Sequence, residues 1–261
     1  MQHLRSGFRV FIILSLASTM IISCKDIPRD NPLDPNNPDS YRGQMILLEA
    51  FVNTENDQSY NEYMLSAMET ITNRYNGKVI IAQYHRNTIS FADSLTIPEN
   101  ETLYDQYVGK FNGVKGVPDV FINGTFYRVK GASSVISATE RIDAAVQSLL
   151  VKNSFFTIEP KVGRKNSKVT ISTKIARLGS ESVSDIIVSA IVTEQIDDGI
   201  NTSVVRHLEN ANLIPRLQPG EQREINFSEV PVNSEANLNI IFTIKSYQDM
   251  AVHQSIEVVV P

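Results

Sequence analysis

The chain of 261 residues has one cysteine, Cys24, and no tryptophan. A single cysteine excludes an internal disulfide and leaves no Cys-x-x-Cys pair for dithiol exchange. Histidine is scarce as well. Of His3, His85, His207 and His253, none has a second ligand at metal-binding spacing. Basic charge is not in excess: 24 Lys and Arg stand against 29 Asp and Glu, a net charge of −5. Without basic clusters there is no electrostatic footprint for nucleic acid, and no such partner is expected. Glycine-rich phosphate loops, Gly-x-Ser-x-Gly and His-Glu-x-x-His are all missing. Asp197, Asp198 and Gly199 are acidic enough for calcium but lack the remaining ligands of a calcium loop. No catalytic constellation is recognisable, so no catalytic residue and no metal is assigned, and the expectation leans away from an enzyme.

What is present begins with Arg5 and Arg9, followed by the apolar run VFIILSLASTMII over residues 10–22. The run is short of the about 20 apolar residues that span a bilayer, and its length and flanks fit a secretory signal. It ends in Ile21, Ile22, Ser23 and Cys24, which resembles the lipobox of bacterial lipoprotein signals. That resemblance implies cleavage before Cys24 and a diacylglycerol on its thiol, with further acylation by chains such as palmitate. Several acyl chains on one residue give stable membrane anchoring where one chain alone is marginal. The covalent lipid is the only cofactor expected. Loss of Arg5 and Arg9 with the signal takes the net charge from −5 to −7.

Four domains or segments follow from the pattern: a signal at 1–23, a tether at 24–43, an α/β unit at 44–153 and an all-β unit at 154–261. The tether carries Pro28, Pro32, Pro35 and Pro38 among many Asp and Asn residues. Proline favours extended conformers, so a spacer is expected there. In the third segment, residues 45–52 form a strand-length apolar run. Ser59 to Arg74 shows helical apolar spacing, ended by Asn76 and Gly77, and residues 79–84 form a second buried strand. A helix over 99–111 precedes two strands joined at Asn123-Gly124, a strong hairpin signal. A last amphipathic helix is expected over about 133–150.

This β-α-β-α-β-β-α order is that of the thioredoxin fold. Gly116, Val117 and Pro118 followed by a strand and Asn-Gly resemble that family's segment in which the proline is cis and faces the active site. Aligned on Glu49, Phe51 and Thr54, the positions of the family's two cysteines are held here by Asn56 and Ser59. Ser59 at a helix start reads as an N-cap rather than a nucleophile. His85, at the end of the second strand, reads as a solvated or core-edge residue. Beyond 154 short alternating strands imply an immunoglobulin-like sandwich. A polar segment at 197–216 reads as a long loop, where binding often resides.

The two halves together resemble Bacteroidetes lipoproteins related to the 28-kDa outer-membrane protein of oral species. The resemblance implies an outer-membrane anchor, on the periplasmic or cell-surface side. The leading expectation is a redox-inactive envelope lipoprotein binding a protein or peptide. The binding site would be where Thr54, Asn56 and Ser59 meet Val117 and Pro118, or the 197–216 loop. Alternatives are a degenerate thiol-redox enzyme acting with a partner's thiols, an unrecognised hydrolase, or a structural subunit of an envelope assembly. The anchor is tested directly. In cells fed labelled palmitate, the wild-type chain takes up label and Cys24→Ser does not; label on the variant removes the assignment.

Overall fold

The computed structural model describes residues 30–55, 59–196, 199 and 202–261. Cys24, the signal and Asn56 lie outside the described residues. The chain is mostly β-sheet with three helices among those residues.

Strand β1 (Ile46–Val52) is buried at all seven positions and is one of the central strands of its sheet. Its period of two divides it between two cores. Leu48, Ala50 and Val52 face helices α1 (Tyr60–Arg74) and α3 (Val135–Leu150), with Met64, Met68, Ile142 and Val146 opposite. Leu47 and Phe51 face helix α2 (Pro98–Lys110) and its Tyr104 and Tyr107. Strand β2 (Val79–His85) runs parallel to β1, as a strand-helix-strand connection through α1 requires. Strands β3 (Asp119–Ile122) and β4 (Tyr127–Lys130) then add antiparallel on the other side of β1. Their connection has four residues, 123–126, rather than the two expected. Asn123 and Gly124 still take the positive φ angles of the turn, 47° and 63°.

The second half contributes β5 (Phe156–Lys165), β6 (Lys168–Arg177), β7 (Val183–Glu194), β8 (Val204–Asn210), β9 (Ile214–Leu217), β10 (Gln222–Asn226), β11 (Leu238–Ser246) and β12 (Val252–Val259). One sheet has β6 between β5 and β10, and it faces β7, β9, β11 and β12 across a core of Ile171, Ile175, Val188, Ile240 and Phe242. The expected loop at 197–216 is corrected here. Half of it, residues 204–210 and 214–216, is strand, since β8 and β9 both pair antiparallel with β7. Its sequence looked like a loop because β8 buries mainly Val204 and Val205, leaving the remainder half-exposed and polar.

Strand β8 also joins the two halves. It lies between β7 and β2, pairing parallel with β2 at Val204 and Gln83, so a nine-stranded sheet runs through both. The Gln83 amide donates to the Ser203 carbonyl at 2.8 Å, and Ser203 Oγ donates to the Ile81 carbonyl at 2.7 Å. Ile191, Val205, Ile241 and Met250 of the second half enter the same core as Phe51, Tyr84, Tyr107 and Phe121.

The tether is also corrected. Over 31–40 it is a run of turns, not an extended spacer, because each Asn or Asp before a proline folds back. Oδ1 of Asn31, Asp34 and Asn37 accepts the backbone N–H two residues on, at 3.0, 2.9 and 2.9 Å. The turns dock on the second half, where Gly179 N–H donates to Ser40 Oγ at 2.9 Å.

The β3–β4 turn packs closely against the second half. A Cβ on Gly124 would lie 2.2 Å from the Met250 carbonyl oxygen, in a left-handed backbone that disfavours one anyway. Gly124→Ala is therefore expected to cost about 2 kcal/mol or more in chemical denaturation. A change under about 0.5 kcal/mol would show that the turn does not hold the halves together.

Candidate functional site

The positions expected to form the site divide into two groups. Val117 and Pro118 line an open groove of about 550 Å³ with Tyr60, Ala132, Lys130 and Arg141. Thr54 and Ser59 are not among its lining residues, and Asn56 lies outside the described residues. Ser59 sits at the N-cap position of α1, but its side chain caps no amide, contrary to expectation. Its αR backbone explains this, because a capping serine needs an extended conformation to aim its hydroxyl at the first turn.

The Val117–Pro118 bond is cis. The side chains of Tyr104, Asp119 and Arg128 fix the segment that carries it. Gly116 N–H donates to Tyr104 Oη at 2.8 Å, and Tyr104 Oη donates to Asp119 Oδ2 at 2.8 Å. Asp119 is fully buried, and Arg128 grips it with Nη2 at 2.6 Å and Nε at 3.0 Å. A buried carboxylate in this position needs such a partner. Burial, then the Asp119 charge, holds the Tyr104 hydroxyl well above the ordinary tyrosine range, so it remains a donor. Arg86 lies 4.2 Å from the Tyr104 ring centre and forms a two-bond pair with Glu101, both at 2.8 Å.

On the groove side the backbone is open. Among the described residues nothing bonds to the N–H or C=O of Val117, whereas the Pro118 carbonyl accepts from Gly131 N–H at 2.8 Å. Val117, a lining residue of the groove, thus carries a backbone donor and a backbone acceptor without partners among the described residues. Tyr60, 49% exposed, supplies an aromatic wall, and Lys130 and Arg141 supply positive charge. Of the lining residues, Tyr60, Lys130, Ala132 and Arg141 were not among the site positions expected from sequence. Tyr60 is the first residue of the helix, where helical spacing places a side chain least reliably.

Thr54 faces a different centre. Its N–H donates to Asp93 Oδ2 at 3.1 Å, and Asp93 Oδ2 also bonds His85 Nδ1 at 2.9 Å. His85 is not the solvated or core-edge residue expected. Both side chains of the pair are fully shielded from solvent. The loop between β2 and α2 folds over His85 and brings Asp93 down on it, which no local pattern reveals. Thr96 Oγ1 and Asn100 Nδ2 bond the His85 carbonyl at 3.0 and 2.8 Å. The pair has the form of an oriented imidazole, but no substrate can reach it. It ties the β1 exit to the loop before α2. Among the described residues, no three His, Cys, Asp or Glu side chains converge as a metal site.

Burial works against the Asp93 charge, yet its bond with His85 and two backbone N–H groups outweigh this and hold its pKa below the ordinary 3.8. A depressed carboxylate pKa stabilises the fold fully above the ordinary value, and this contribution is lost as pH falls through the folded-state value. Asp93→Ala should thus cost about 3 kcal/mol at pH 7. The gap between variant and wild type should narrow as pH drops below about 4. Thermal melting from pH 3 to 7 checks this; a gap that does not change with pH would refute it.

No family model matches the sequence, and no curated protein matches it. Solved structures do. HBP35 of Porphyromonas gingivalis superposes with a TM-score of 0.62 at 12% identity, over 84% of this chain and 76% of that one. A protein of Agrobacterium tumefaciens solved by a structural genomics consortium superposes with a TM-score of 0.53 at 17% identity, over 83% and 95%. At these identities the likeness is one of fold, and it extends across both halves of the chain, including a Bacteroidetes protein among its neighbours.

Proposed function

We propose that this chain is a cell-envelope lipoprotein, anchored to the outer membrane through lipid on Cys24. Its first half is a thioredoxin-like domain without redox cysteines, its second an immunoglobulin-like sandwich, and its task is to bind an extended peptide or protein segment. In this reading it belongs with the Bacteroidetes lipoproteins related to the 28-kDa outer-membrane protein. The lipobox residues, the Asn56 and Ser59 replacements and the fold shared with the Porphyromonas protein support it.

The observation that carries the binding role is the unpaired Val117 backbone beside the groove. An extended peptide that pairs with a free N–H and C=O gains main-chain hydrogen bonds, as in strand addition to a sheet edge. Tyr60 and Ala132 would receive an apolar side chain of that peptide, and Lys130 and Arg141 favour an acidic flank. None of these interactions needs a thiol.

The test is photocrosslinking in intact cells. A photoreactive side chain is placed either at Tyr60 or at Val259, which is 75% exposed on β12 and outside the groove. A discrete adduct is expected from position 60 and not from 259. Identical adducts from both positions, or none from position 60, would sink the groove as a working site.

A further inference from the structure

A second cavity, of about 700 Å³, opens in the seam between the C-terminal end of α2 and the outer face of β7, β8 and β11. Lys245 lines it. This residue lies within β11, opposite Ile187 on β7 and Val252 on β12, and is only 5% exposed. Buried lysines are rare unless paired. Among the described residues no carboxylate lies within ion-pair distance of the Lys245 amine, and it donates no hydrogen bond. The charge that acts on it is Glu49, whose two oxygens are already occupied by Tyr84 Oη at 3.1 Å and Tyr107 Oη at 2.9 Å. Burial pushes the amine below the ordinary lysine range, and Glu49 only partly restores it.

A three-donor cation at the wall of a cavity, with no acceptor, is half of an ion pair. The cavity supplies more of the same kind. Asn210 lines it, and Ser189 Oγ donates to Asn210 Oδ1 at 2.5 Å, so the Asn210 carbonyl end is occupied. Its NH₂ end has no acceptor among the described residues. Ile187, Met250 and Tyr247 supply apolar wall. The one acidic lining residue, Asp105, is paired with Lys115. We infer that this cavity binds a small organic carboxylate, its head on Lys245 and Asn210 and its apolar body against Ile187, Met250 and Tyr247. Such a ligand would complete the missing pair, and the site is independent of the Val117 groove.

The test uses the full chain in non-ionic detergent, titrated calorimetrically with octanoate and with octan-1-ol as the uncharged comparison. Octanoate should bind about tenfold more tightly than the alcohol, the effect of one charge-assisted hydrogen bond. Lys245→Met should abolish that preference, and Lys245→Arg should retain it. Folding of the methionine variant is expected to be intact, because replacing an unpaired buried charge by an apolar side chain is often neutral or stabilising. A second measurement needs no variant. Octanoate should protect Lys245 from trinitrophenylation by trinitrobenzenesulfonate, in which the amine displaces sulfite from the ring, read by peptide mapping against the exposed lysines. No octanoate binding, equal binding by Lys245→Met, or an unprotected Lys245 would each overturn the assignment.

Discussion

The outer edge of β2 is the constraint on which this architecture depends. A parallel strand at a sheet edge leaves a row of N–H and C=O groups that must find partners or water. Here β8 covers part of that edge, and the second half of the chain continues the sheet from there. The same seam is reinforced at the opposite side of β1. Asn123 Oδ1 accepts from Leu47 N–H at 2.6 Å while the Asn123 carbonyl accepts from Val252 N–H at 3.0 Å. Gln44 and Gln254 exchange bonds with the backbone of each other's segments. These are amide-to-backbone contacts of fixed geometry, so they specify one arrangement of the halves where apolar packing alone would allow sliding.

Joining the halves in this way encloses polar groups that a free α/β unit could leave wet. Glu49 is the clearest case. It lies mid-strand in β1, between the apolar Leu48 and Ala50, on the face that α2 and the second half bury. Burial raises its pKa, against Lys245 and the two tyrosine hydroxyls that favour the charged form. Tyr84 and Tyr107 are in turn held far above the ordinary tyrosine range by burial and by the Glu49 charge, so both remain donors. A carboxylate with both oxygens occupied tolerates a dry core; an isolated one would not. The aromatic cluster of Phe51, Tyr84, Tyr104, Tyr107 and Phe121 owes part of its composition to this need for hydroxyls as well as to its bulk.

Legibility in the sequence tracked how local each signal was. The buried strands at 46–52 and 79–85 and all three helices are written in periodicity and turn residues, and their bounds emerge within two or three positions. The order of elements follows from the same signals, whereas the expected placement of Val117 and Pro118 beside a groove was implied by the resemblance of their segment to the thioredoxin family. Strands β8 and β9 were missed because they gain their structure from β7 and β2, not from their own apolar pattern. The Asn-Pro turns of the tether could have been read locally, since an Asx side chain before proline is itself a turn signal. The pairing of His85 with Asp93 and the unpaired burial of Lys245 could not. The first depends on a loop path and the second on the seam, and a single titratable residue in a strand gives no hint of either.

Both candidate sites depend on groups whose partners the fold has withheld. At Val117 the withheld partner is for a backbone amide and carbonyl, held in place by Tyr104, Asp119 and Arg128. At Lys245 it is for a charge. The distinction sets what each can recognise. A backbone pair is indifferent to side-chain identity, so selectivity at the groove must come from Tyr60 and the flanking cations. A desolvated ammonium discriminates strongly by charge and weakly by shape, because its energy changes more with a partner's ionisation than with its outline. Neither requires the dithiol that the helix start would carry in a redox protein. No member of the hydrogen-bonded frame around Pro118 bonds to residues 54 or 59, so that frame does not depend on the side chains at the helix start.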